Sequence, residues 1–154
     1  MKKRWIAVLV LYSVVPFLCG LAMNGWIMNH PYSLPRFGMI SLLFLLAFMT
    51  MAFIGNSCIH NTRVVLVSLN LIPLLVLVLI GIQELILHQY WNNMVGTLSQ
   101  LYYLPLLHLG FQLTFWSPHV FAAYSACFIM LLLISWLGCK LQVSFCEDKD
   151  GSVL

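Results

Sequence analysis

Glu84 is the single carboxylate before position 147, and His88 follows it by four residues. On a helix that spacing puts both on one face, where a carboxylate and an imidazole can share a hydrogen bond and relay a proton near neutral pH. Gln100, His108 and Gln112 are separated by multiples of four. On a continuous helix they form a polar stripe, suited to interhelical hydrogen bonds or to lining a wet cavity. An ionised group at mid-bilayer costs about 2.5–3.5 kcal/mol, so each of these residues is a functional candidate wherever the chain is immersed in lipid. Together Glu84, His88, Gln100, His108 and Gln112 make up the candidate polar or transport face.

The remaining chemistry-bearing residues are dispersed. His30, His88 and His119 fall near one boundary, His108 lies deeper and His60 on the other side. Haem ligation needs two ring nitrogens at matched depth on facing helices. No pair meets that condition, and copper or zinc would have to draw on the outer histidines. A membrane enzyme or haem/metal protein built on those histidines is the third reading, and no cofactor or metal is assigned. The sequence has no Gly-rich phosphate loop, GxSxG or HExxH, and one intramembrane carboxylate leaves no aspartyl dyad. The five cysteines form no CxxC pair and read as small apolar packing residues.

These residues are positioned by a chain that has almost no other charge. Leu85–Cys139 is 55 residues without Asp, Glu, Lys or Arg, and Trp5–Pro35, Phe37–Thr62 and Val64–Gln83 are similarly uncharged. With 62% hydrophobic and 7% charged residues, the chain cannot cover itself in water, where about 25% charged is usual. The expected fold is all-α, a single polytopic membrane helix bundle over residues 1–140 followed by a short polar tail, 141–154. Lys2-Lys3-Arg4 is a topology signal that places the N-terminus in the cytoplasm. No other basic patch exists, so nucleic acid is excluded as a partner.

Five spans are expected, at about 5–28, 37–58, 64–87, 95–116 and 119–139, with four as the alternative. The first is read as a retained helix rather than a cleaved signal, because its apolar run continues past Gly20-Leu21-Ala22 to Ile27. Pro16 should kink it. The segment 95–116 decides the count, since it is apolar but holds Gln100, Pro105, His108 and Gln112. Four spans put six of the seven Lys and Arg inside and only Arg36 outside, whereas five put four inside and three outside. Charge therefore favours four. Length and apolarity favour five, because an uncharged segment this long has little reason to stay out of lipid, and the reading settles there. Ala122 and Ala126 stand at small-xxx-small spacing and are the candidate helix-packing pair. Asn24, Asn56 and Asn70 are expected to hydrogen-bond between helices.

Asn70-Leu71-Ile72-Pro73, with Asn93…Gly96 and Pro105…Gly110, faintly resembles the teicoplanin-resistance membrane family. Leu74 stands where that family has Phe, the later spacing differs and the acidic C-terminal element is absent, so no family is assigned. The functional expectation is a non-enzymatic accessory, regulatory or protective protein of the bacterial inner membrane. Its partners would be the lipid bilayer and another membrane protein or itself as a homo-oligomer. The alternative is a small transporter or channel protomer using Glu84 and His88.

Overall fold

A computed structural model describes residues 2–30, 36–89, 91, 93–115 and 119–151, with side chains described as far as Phe145. The described elements are all helical: α1 (Lys2–Tyr12), α2 (Val15–Asn29), α3 (Phe37–Ile59), α4 (Thr62–Gly81), α5 (Met94–Tyr102), α6 (Leu104–Leu113) and α7 (Val120–Gly151). A π-helical turn, Ile82–Ile86, extends α4.

Among the described residues four stretches are long and apolar enough to cross a bilayer: Lys2–Asn29, Phe37–Ile59, Thr62–Ile86 and Val120–Phe145. At ~1.5 Å per residue even the shortest exceeds the ~30 Å hydrocarbon thickness. Their outer faces carry large bare apolar side chains, among them Leu11, Leu18, Val67 and Leu133, each more than half exposed. Water would penalise such surfaces, whereas acyl chains solvate them.

The first rod bends where proline requires it. Pro16 has no N–H for the carbonyl of Tyr12, and the helix is interrupted at Ser13-Val14. At the other end of the bundle, α3 stops at His60, which takes a left-handed conformation with φ 54°. Asn61 then caps α4, its Oδ1 accepting the Val64 N–H at 3.2 Å. A two-residue turn thus joins α3 and α4.

Side-chain contacts fix the threading. Leu9 of α1 packs with Ile59, Val65 and Cys139, and Asn56 bonds Gln142. The start of α1, the α3–α4 turn and the far part of α7 therefore share one end of the bundle, here called the turn end. At the opposite end the start of α7 meets the close of α4, where Glu84 accepts the Phe121 N–H. The chain between Glu84 and Phe121 consequently departs from and returns to the same end.

That chain is an insert. Helices α5 and α6 meet in an elbow at Tyr103, with α5 against α2 and α4, and α6 against α3 and α7. The expected fifth span at 95–116 is corrected accordingly. It consists of two short helices wedged among the others, and four spanning candidates remain. The physical reason is Pro105, which cannot donate to the carbonyl of Leu101, so a single rod is interrupted at this point. That carbonyl lies against Gly20 of α2, in a space that a Cβ at Gly20 would fill. Only glycine permits the approach. Helix α7 runs on beyond the expected span end at 139, helical to Gly151. The expected turns at 31–35 and Ser117-Pro118 lie outside the described residues.

Candidate functional site

The elbow half of the bundle contains most of the polar side chains singled out from sequence. Its first element is the π-helical turn. There the Leu87 N–H reaches back to the Ile82 carbonyl at 3.0 Å, one residue further than in an α-helix. Gln83, wholly buried, donates from Nε2 to Ser99 Oγ at 3.2 Å and accepts the Trp91 N–H on Oε1 at 3.1 Å. Adjacent Glu84 points to a different neighbour, its Oε1 accepting the Phe121 N–H at 3.0 Å. A carboxylate at the first turn of α7 satisfies an orphan backbone donor and complements the helix dipole. Two consecutive residues thereby tie α4 to α5 and to α7.

The expected Glu84–His88 pairing on one helical face is not realised. The helix closes at Leu87, and His88 sits in the left-handed region at φ 48°, exposed, while the carboxylate turns to α7. The polar stripe is likewise divided. Gln100 belongs to α5, and His108 and Gln112 belong to α6 beyond the elbow. What survives is the local pair, with Gln112 Nε2 and His108 Nε2 at 3.1 Å. His108 also helps Phe37, Leu104, Leu107 and Phe111 line an open groove of about 190 Å³ between α3 and α6.

At the elbow itself two tyrosines carry the polar contacts. Tyr102 and Tyr103 are almost completely buried, with rings 5.0 Å apart and edge to face. The Tyr102 hydroxyl donates to the Ser13 carbonyl at 2.9 Å. That carbonyl is free because the Phe17 N–H bonds Val14 instead, a consequence of the break in the first rod. The Tyr103 hydroxyl donates to the Pro73 carbonyl of α4 at 2.7 Å, and Ser41 Oγ of α3 donates to the Pro105 carbonyl at 2.6 Å. These anchors were not singled out from sequence. The available signal was a Tyr-Tyr pair beside a proline inside an uncharged run, since a buried phenol requires an acceptor.

The turn end has its own network. Asn56 Nδ2 donates to Gln142 Oε1 at 2.6 Å and to the Cys139 carbonyl at 3.3 Å, while Thr62 Oγ1 donates to Asn56 Oδ1 at 3.3 Å. Asn56 thus bonds between helices as expected. Asn24 is exposed on α2, and Asn70 donates only to the Leu66 carbonyl of its own helix. Ala123 and Cys127 are wholly buried against Gly110 of α6, and Ala122 and Ala126 are only half-buried.

Among the described residues no three His, Cys, Asp or Glu side chains converge on a point where a metal ion could sit. His30 stacks on Trp26 with rings 4.9 Å apart, and His60 lies at the turn end. Cys19, Cys58, Cys127 and Cys139 are free thiols. Compared with family models, curated proteins and solved structures, the chain matches none.

Proposed function

We propose that this chain is a non-catalytic protein of the bacterial inner membrane that works by binding another membrane component, as an accessory, regulatory or protective subunit. The observation that supports this reading is how the polar groups best placed for chemistry are used. Glu84 caps α7, Gln83 holds α5 and Trp91 ahead of it, Tyr102 holds the break in the first rod and Tyr103 ties the elbow to α4. The grooves between helices are apolar and open sideways, toward lipid or another helix. In this reading the turn end faces the cytoplasm. It carries Lys2, Lys3, Arg4, Arg63 and Lys140, whereas the elbow end has Arg36.

The reading is tested by site-specific photocrosslinking in intact membranes from the α3–α6 groove and from the α4–α7 face, combined with topology reporters on both termini. The expected result is a discrete crosslinked membrane protein, either another chain or this one, with both reporters on the cytoplasmic side. Crosslinks to lipid alone from both faces would overturn the binding reading. A C-terminal reporter on the far side would overturn the threading.

A further inference from the structure

The one side-chain polar atom that is buried without a partner among the described residues is Oδ1 of Asn70. Asn70 is 5% exposed and lies on α4 about a third of the way along the candidate span Thr62–Ile86. It is one wall of an apolar groove of about 210 Å³ shared with Leu66, Val67, Leu71, Phe128 and Leu132. A second cavity of about 370 Å³, reaching Leu133 and Trp136, also uses Leu66 and Leu132, so the groove continues along the α4–α7 seam. At this depth there is no water to satisfy an amide, and acyl chains offer no donor. A donor has to arrive on a protein side chain.

The amide itself indicates which protein. Asn70 uses one N–H on the Leu66 carbonyl at 3.0 Å and keeps a second N–H beside the unpaired oxygen. A group with one spare donor and one spare acceptor is complementary to itself. Copies related by a two-fold axis along the membrane normal place the same residue at the same depth, so Asn70 meets Asn70 with no mismatch. The broad terminal torsion of asparagine lets the amide turn from its nearly covered position into the groove. We propose that a second copy of this chain docks on the α4–α7 seam, with the two Asn70 amides bonding reciprocally at its centre. This rests on the binding reading above and names its partner.

The test is energy transfer between full-length copies carrying donor or acceptor fluorescent proteins at the C-terminus, reconstituted in phosphatidylethanolamine/phosphatidylglycerol liposomes across a range of protein-to-lipid ratios. The unaltered chain should give saturable transfer that fits a dimer. Asn70→Leu should weaken association on the order of ten-fold, the loss of two interhelical hydrogen bonds. Leu71→Trp, which fills the groove, should abolish transfer. Helix content and thermal midpoint should be unchanged in Asn70→Leu, since the substitution removes no bond to another helix. Lack of transfer in the unaltered chain, or equal association of Asn70→Leu, overturns the proposal. If a foreign membrane protein is nevertheless crosslinked from this seam, the broader binding reading survives. If neither is found and the α3–α6 groove also crosslinks to lipid alone, both fall.

Discussion

The turn end and the elbow half of this bundle are held together by different means. Toward the turn end, α3, α4 and α7 run unbroken and meet over small residues, with Ala52, Cys139, Val65 and Leu69 forming a dry cluster around Leu9. Gly138 of α7 faces the Met49 carbonyl of α3, leaving no room for a Cβ. In the elbow half the rods are interrupted at Ser13-Val14, at the π turn and at Tyr103. Each interruption has a side chain assigned to it. Tyr102 serves Ser13, Gln83 and Glu84 fasten the π turn to its neighbours, and at the elbow Tyr103 reaches α4 and Ser41 ties α3 to α6. Where a helix satisfies its own backbone, van der Waals packing suffices in lipid. Where it breaks, hydroxyls, amides and a carboxylate must replace the missing water.

The contrast fails most visibly if the turn end tolerates bulk. Gly138→Val drives a branched side chain into the backbone of α3, and neither helix can retreat without opening the Asn56–Gln142 network beside it. The expected loss is about 3 kcal/mol or more, at the upper end of overpacking costs. It is read as a fall in thermal midpoint and in detergent-extractable, folded protein. A loss below about 1 kcal/mol would mean that the α3–α7 contact is looser than the geometry requires.

The elbow half should respond instead to removal of single oxygens. Tyr102→Phe and Tyr103→Phe preserve the ring packing around Phe44, Phe48 and Tyr124 and delete only the hydroxyls that reach Ser13 and Pro73. Tyr102→Phe should cost about 1–2 kcal/mol, because it leaves the Ser13 carbonyl without a donor, and Tyr103→Phe about 0.5–1.5 kcal/mol, because the Pro73 carbonyl lies within α4 and keeps its own helix's N–H. Because the two rings touch edge to face, 5.0 Å apart, the double substitution should depart from the sum, and the difference measures their coupling. Tyr102→Phe should also increase proteolytic or exchange access at Ser13-Val14, an effect absent from Tyr103→Phe. If both are neutral, the elbow is held by shape rather than by hydrogen bonds, and the two halves of the molecule are alike.

What could be read from the sequence follows the same division. Uncharged runs mark the four long rods, and Pro16 marks the bend in the first, because both effects act locally along the chain. The positive-inside argument favours four spans and length favours five; the described residues contain four candidate spans, with 94–113 folded into the bundle as an elbow. Residue spacing misled wherever it assumed that a helix continues. The stripe through Gln100, His108 and Gln112 needs an unbroken rod across Pro105, and the Glu84–His88 face needs an α-helical turn where the backbone widens to a π turn and then stops. The small-residue patch on α7 was visible, but its buried register, Ala123 and Cys127 rather than Ala122 and Ala126, is set by where α6 arrives. Long-range docking of that kind leaves no trace in local spacing.

Glu84 gives the smallest expected effect and the sharpest discrimination. Its carboxylate accepts the Phe121 N–H, and a neutral amide oxygen at the same position accepts that bond nearly as well. What Glu84→Gln removes is the charge, whose interaction with the first turn of α7 contributes about 0.3–1 kcal/mol. Abundance and thermal midpoint should therefore move little, whereas Glu84→Leu, which strands the N–H, should cost more than Glu84→Gln by about 1 kcal/mol. Proton-linked uptake in vesicles supplies the opposing outcome. If Glu84→Gln leaves the fold intact and such an uptake disappears, the charge serves transport, and the carboxylate belongs with a permeation path rather than with the ties that hold the elbow half together.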